Sequence, residues 1–340
     1  MSVSVTPRSL YFGQLRREFY ILSNDEVLLD VPGGGLLYAS VGHLLWEKTP
    51  PPGLITRVGE DYPYAWLEEF NQHGLDTRGV RVLSESVDLR FFSVYTSRAT
   101  RVHEDPTPHF ARLGLPYPKS LLGYRVPKVL VDSRTRLTST SIRQADIPEA
   151  YLEATSAHLC PVDYLTHSLI PAVLRQSGFI TITLDPSSGY MTPVFWDEIP
   201  ALVIGLTAFL PSEEEVCALY YGRSTDLWEM MDGLAAMGCE FVIIKRGVAG
   251  QFLLDAASHA RWEVPSYPAR FKNPTGAGDA FCGGFLAGYL QTFDPLQAVL
   301  YGNIAASLVV EGNGPYYALD VLPGLPQARL DALKESVRKR

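Results

Sequence analysis

The chain has 340 residues, 46% of them apolar and 19% charged, with a formal net charge of −8. That length can bury a large core, and the composition fits a globular enzyme rather than a disordered or fibrous chain. The acidic balance argues against a nucleic-acid-binding surface, which gathers Lys and Arg, but leaves room for a phosphate held by local N–H groups.

Cysteines at 160, 217, 239 and 282 form neither a C-x-x-C pair nor a zinc spacing, so reduced core thiols are expected. Residues 1–10 show no basic-then-apolar leader pattern. No run of about 18 apolar residues occurs. A cytoplasmic protein without a membrane span is therefore expected.

In chain order, residues 9–14, 19–22 and 26–31 read as strands, with Asn24-Asp25 as a turn between the last two. Gly33, Gly34 and Gly35 then lead into a helix over 36–45. Such a junction can bring backbone close to a ligand, and it can equally be a plain helix-opening turn. Residues 54–58 predict a strand and 64–73 a helix closed by Gly74. Residues 80–83 and 87–96 read as further strands. Val87, Leu89, Phe91, Ser93 and Tyr95 alternate as a strand with one covered face would.

Residues 100–145 carry many prolines and charges. Arg98, Arg101, Arg112 and Arg125 could approach a phosphate, although solvated arginines are the commoner case. Regular alternation then returns. Strands are predicted over 157–160, 180–185 and 201–207, and helices over 161–177 and 196–200. Ser212 is a good helix cap, with Glu215 at the capping-box position. A helix over 225–237 ends at Gly238, and a strand over 241–245 runs into the turn Lys245–Gly250. In open α/β sheets ligands gather at such strand ends. Residues 251–255 and 261–264 read as a hairpin, and 295–310 as a helix.

The most informative stretch is Asn273-Pro274-Thr275-Gly276-Ala277-Gly278-Asp279, just ahead of a small-residue apolar helix. Little side chain intervenes at Gly276, Ala277 and Gly278, so their N–H groups can approach an anion closely. The helix dipole adds to that pull. Asp279 falls in the first turn, placed to take a proton from an attacking hydroxyl. An anion cradle beside a base is what phosphoryl transfer to an alcohol needs. The bland reading is a close-packed turn with an acidic dipole partner.

These residues resemble the C-terminal signature of the PfkB-type carbohydrate kinases, the ribokinase-like family, whose usual pattern is Asp-Thr-x-Gly-Ala-Gly-Asp. Asn273 and Pro274 depart from it. Val-Gly-Glu-Asp at 58–61, the segment Gly-Leu-Asp-Thr-Arg-Gly-Val at 74–80 and Asp185-Pro186 are also similar to family segments.

The resemblance implies one α/β domain over 1–340. It would hold a mostly parallel central sheet with helices on both faces, and a small β-strand lid built from about 14–31 and 80–105. It implies ATP and Mg²⁺ as cofactors and an ATP-dependent kinase acting on a sugar-like small molecule, with no nucleic acid or membrane partner. Asp279 would be the base and the Gly276, Ala277 and Gly278 amides the anion hole. Lys245, Gly247, Gly250, Asn303 and Ser307 would line the nucleotide. Gly33, Gly34 and Tyr38 would meet the substrate, and Glu215 would help hold the metal. Exposed lid strands can pair such proteins into homodimers. Family members often need a monovalent cation near the signature's first acid, so Asn273 implies weak or absent K⁺ dependence. A catalytically weak relative that binds nucleotide or sugar for regulation stays open as an alternative. A dinucleotide-dependent oxidoreductase lacks its G-x-G-x-x-G after the first strand.

Overall fold

The computed structural model describes residues 5–97, 100–127 and 131–340. Strands β1 (Ser9–Phe12), β4 (Gly53–Val58), β8 (Ser156–Leu159) and β9 (Thr181–Leu184) are buried along their whole length. Burial on both faces is the mark of a parallel sheet covered by helices on each side. With β5 (Asp76–Val82), β10 (Ala208–Phe209), β11 (Phe241–Lys245), β12 (Gln251–Asp255), β13 (Arg261–Val264) and β14 (Arg338–Lys339) they form a 10-stranded sheet. Its order is β14-β13-β12-β11-β10-β9-β8-β1-β4-β5. Every pair from β5 through β11 is parallel, and β12, β13 and β14 add on antiparallel.

Alternation along the strands divides the core. Leu10, Phe12, Ile182, Leu184, Val242 and Ile244 point to one side. There they meet α4 (Tyr164–Gln176), α5 (Ile199–Val203), α6 (Glu213–Leu219) and α7 (Leu227–Ala235). Tyr11, Leu54, Ala208, Ile243 and Leu253 point to the other side. That side carries α1 (Gly35–Leu44), α8 (Ala277–Thr292), α9 (Pro295–Val309) and α10 (Leu325–Lys334), while α2 (Tyr64–Gln72) flanks β5. The glycines inside α8, each unfavourable by roughly 1 kcal/mol against alanine, have a packing reason. A Cβ at Gly283 would stand 1.7 Å from the Ala39 carbonyl oxygen, and one at Gly42 would stand 2.1 Å from that of Ala280. Helices α1 and α8 therefore touch backbone to backbone. Among the described residues, no helix is long and apolar enough to cross a membrane.

A separate 4-stranded sheet, in the order β3-β2-β6-β7, joins β3 (Val27–Gly33), β2 (Arg16–Ile21), β6 (Arg90–Tyr95) and β7 (Arg101–Val102). The sequence pattern puts residues 80–83 in this lid; residues 80–82 instead finish β5, paired in parallel with β4 in the large sheet. Gly79 permits that pairing, because a Cβ there would lie 2.3 Å from the Leu54 carbonyl oxygen. The outer face of the lid presents Phe19, Ile21, Phe92 and Val94, which pack against Phe110 of α3 (Pro106–Arg112) and against Leu121. The proline-rich segment after β7 thus wraps the back of the lid.

One predicted strand is absent. Residues 201–207 are not extended: α5 runs to Val203, and Gly205, at φ 71°, turns the chain into the short β10. The apolar run mimics a buried strand because Leu202 and Val203 bury one face of a very short helix.

Candidate active site

The parallel strands β8, β9, β10 and β11 all end at one edge of the large sheet, where the N-terminus of α8 also arrives. Lys245 closes β11, and its Nζ reaches Asp185 Oδ2, just past the end of β9. Cys282, one turn into α8, sits against the same pair: its Sγ is 3.6 Å from Lys245 Nζ and donates to Asp185 Oδ2 at 3.4 Å. Burial alone would lower the lysine, but Asp185, with Cys282 and Glu215, lifts it above its ordinary value and keeps it charged. Asp185 Oδ1 is buried and has no hydrogen-bond partner.

Asp279 is half-buried and faces the lid rather than the core. Burial pushes its carboxyl up, while Lys245, Arg16 and Arg101 pull it back. Its Oδ1 rests against the backbone of Gly35: a Cβ at 35 would stand 2.5 Å from that oxygen. Gly276 caps α8 in the left-handed region at φ 76°, and a Cβ there would fall 2.0 Å from Cγ of Tyr38, so the turn lies flat on the tyrosine ring. The expectation of three free amides needs a correction. The N–H of Ala277 donates to the Pro274 carbonyl at 3.2 Å, closing the turn. The N–H groups of Gly276 and Gly278 donate to no described acceptor. Gly278 is exposed, and a Cβ there would lie 3.8 Å from Lys245 Nζ.

The lid is tied to this loop. Tyr95 and Thr275 share a hydrogen bond between hydroxyls at 2.6 Å, and the Thr275 N–H donates to Asn273 Oδ1 at 3.0 Å. On the acceptor side, Glu18 Oε1 accepts from the Gly34 N–H at 3.0 Å, and a Cβ at Gly33 would be 1.9 Å from Glu18 Oε2. Gly33 and Gly34 therefore cradle a buried carboxylate.

The profile of the pfkB family carbohydrate kinases matches residues 143–321. The chain belongs to that family. It is 26% identical over 239 residues to the cytidine kinase of Thermococcus kodakarensis, covering 70% of this chain and 73% of the relative. Among solved structures, it superposes with a TM-score of 0.69 and 18% identity on an Escherichia coli protein described as a ribokinase II, in complex with ATP and Mg²⁺. That likeness covers 97% of this chain and 99% of the other. The Burkholderia thailandensis nucleoside kinase in complex with inosine gives a TM-score of 0.67 at 17% identity, covering 96% and 98%. At such identities these structures establish the shared ribokinase-like fold.

In this pfkB kinase two residues expected at the nucleotide have other duties. Asn303 is buried, with its Nδ2 donating to Gln251 Oε1 at 2.7 Å and to the Pro265 carbonyl at 2.9 Å. Its Oδ1 accepts from the Tyr267 N–H at 2.9 Å. The amide thus pins residues 265–267 to α9 and spends both of its N–H donors on the protein. Ser307 is likewise buried, donating to the Ile304 carbonyl and accepting from Arg329. Gly247 and Gly250 take positive φ of 53° and 86° in the β11–β12 turn, and a Cβ at Gly247 would meet nothing within 4 Å. Of the arginines singled out in the sequence, Arg112 pairs with Asp25 and Arg125 is exposed. Arg98 lies outside the described residues. Arg101 reaches the site.

Glu215 is both cap and site residue. Its Oε2 accepts from Ser212 N–H and from Ser212 Oγ, each at 2.8 Å, and burial pushes its carboxyl up while Lys245 opposes that. Asp185, Cys282, Gly35, Arg16 and Glu18 were missed as site residues. Only the alternation of charge along β2, Arg16 and Glu18 against Phe19 and Ile21, hints at a polar inner face. The chemistry fits both a phosphate chain and a magnesium ion. Gly276 and Gly278 offer free donors at a helix N-terminus. The orphaned Asp185 oxygen and the Glu215 carboxylate are hard oxygen ligands suited to a hydrated cation.

Proposed function

We propose that this kinase moves the γ-phosphoryl group of ATP onto a hydroxyl of a sugar-like small molecule, with Asp279 as the general base. The observation that carries the reading is the meeting of Asp279, the free Gly276 and Gly278 amides and Lys245 in one open corner. The acceptor lies between Gly33–Gly34, Tyr38 and the inner face of the lid. As its oxygen bonds to phosphorus, its proton passes to an Asp279 carboxylate oxygen. The bond from phosphorus to the β–γ bridging oxygen breaks, and ADP leaves.

The two amides donate to oxygens of the transferring group, where a well-aimed donor is worth roughly 3 kcal/mol of barrier. The nucleotide runs from there along the Lys245–Gly250 turn, with Lys245 balancing phosphate charge. Asp185 and Glu215 would hold Mg²⁺ through its waters. Bound Mg²⁺ supplies charge neutralisation at the phosphate oxygens. The reading is tested with Asp279→Asn, which keeps ATP affinity and loses about 10²–10⁴ in turnover. Near wild-type ADP release by that variant would refute the base. A nucleotide-binding regulator would instead release no ADP with any acceptor.

A further inference from the structure

The inner face of the lid carries charges that make no ion pair within the fold. Along β2, Phe19 and Ile21 enter the apolar cluster behind the lid, so Arg16 and Glu18 face the opposite way, toward Asp279. The neighbouring arginines of the lid, on β2 and β6, are neutralised: Arg17 pairs with Asp30 at 2.6 Å and Arg90 with Asp88 at 2.8 Å. Arg16 and Arg101 have no carboxylate within ion-pair distance among the described residues. Both flank one aromatic ring, with Arg16 Cζ 4.1 Å and Arg101 Cζ 6.0 Å from the centroid of Phe91. Beside them, Glu18 is 4% exposed, and its Oε2 is buried without a hydrogen-bond partner.

A half-buried guanidinium without an ion-pair contact is costly, and burial pulls Arg16 below its ordinary value although Glu18 and Asp279 partly offset it. A planar fork stacked on a ring is pre-oriented for bidentate capture of an anion. A neutral polyol would bring neither guanidinium an anionic partner. Resting on the kinase reading above, we propose that Arg16 and Arg101 clamp an anionic group of the acceptor, a carboxylate or a phosphate, while Glu18 Oε2 accepts from one of its hydroxyls. The acceptor is then a polyhydroxy acid or a phosphorylated sugar. The phosphoryl group enters at a hydroxyl on the far side, near Asp279.

The test compares matched pairs: gluconate with glucitol for the carboxylate arm, and fructose 6-phosphate with fructose for the phosphate arm. ADP release and calorimetric binding are measured for the wild type, Arg16→Gln and Arg101→Gln. Arg101 is exposed, so its variant should fold even if the Arg16 variant does not. In at least one arm the anionic member should exceed its neutral partner by about tenfold or more, as charge-assisted hydrogen bonds provide. Each variant should raise KM for that anion by a similar factor while leaving the Kd of ATP unchanged. Equal or better use of the neutral partners overturns the clamp, as does failure of both anions to bind. A loss of ATP affinity in the variants, uniform over acceptors, also overturns it and assigns the guanidiniums to the transferring group. If no acceptor of either charge yields ADP, the kinase reading falls, and calorimetric binding of the four probes judges the clamp by the same criteria.

Discussion

Gly35 lies directly beneath the Asp279 carboxylate, so close that a methyl at 35 would stand 2.5 Å from Oδ1. Only hydrogen leaves room for the carboxylate there. Gly35→Ala should swing Asp279 out of line with the acceptor while disturbing little else. A misplacement of about 1 Å can cost on the order of 10²-fold in rate. We expect kcat to fall by that order with ATP affinity retained. A variant with wild-type kcat would show that this contact does not position the base.

Gly276 is constrained twice, by φ 76° and by the Tyr38 ring 2.0 Å from where a Cβ would be. The left-handed backbone alone costs a side chain roughly 1–2 kcal/mol. Gly276→Ala should lose at least that much stability in urea unfolding, and turnover should fall as the turn lifts from the ring. Gly278→Ala meets only Lys245 Nζ, at 3.8 Å, and should unfold like the wild type. Equal stability losses in the two variants would contradict this account.

Burial pushes the Glu18 carboxyl up to about 7 from its ordinary 4.5. Between those values the folded protein holds a proton that the unfolded chain has released. The stability that Glu18 contributes is therefore full at low pH and falls as pH rises through that window, by roughly 3 kcal/mol in total. Glu18→Gln keeps an acceptor for the Gly34 N–H and removes the titration. The stability gap between wild type and variant should shift in the variant's favour from pH 5 to pH 8. Parallel pH profiles would refute the buried-carboxyl account.

Asn273 presents a neutral amide, buried and already accepting from the Thr275 N–H. We expect kcat to stay unchanged when choline replaces K⁺ at matched ionic strength. Strong activation by K⁺ would show that the cation does not need a charged residue at 273.

The back of the lid is closed by the chain's own Phe110 and Leu121. A homodimer through that face would have to displace them, so sedimentation should find no dimer built on it. Phe110→Ala should cost about 3–5 kcal/mol if the cavity does not collapse. It should also expose Phe92, and concentration-dependent association should appear. Wild-type stability in Phe110→Ala would mean that α3 is not a true cover.

Local chemistry made much of this molecule legible in the sequence. The Gly276–Asp279 turn, the Ser212–Glu215 capping box and the Lys245 strand end are each written in a few adjacent residues, and the structure brings them to one sheet edge. Gly35 under Asp279 was not legible, because the two are 244 positions apart and glycine carries no sign of its neighbour. The role of Asn303 was equally hidden: family resemblance put it beside the nucleotide, while its amide bonds to Gln251, Pro265 and Tyr267, none of them near it in sequence. The 201–207 run failed as a strand because apolar content alone cannot separate a short buried helix from a buried strand.

The glycine contacts Gly42 on Ala280 and Gly283 on Ala39 weld the helix behind the Gly33–Gly35 junction to the helix that bears Asp279. Floor and base of the reaction chamber are thus a single casting that cannot flex to suit a new guest. Only the roof can adapt. Change of acceptor in evolution, or by engineering, would then be written into β2, β6 and β7, while the chemistry beneath is left untouched.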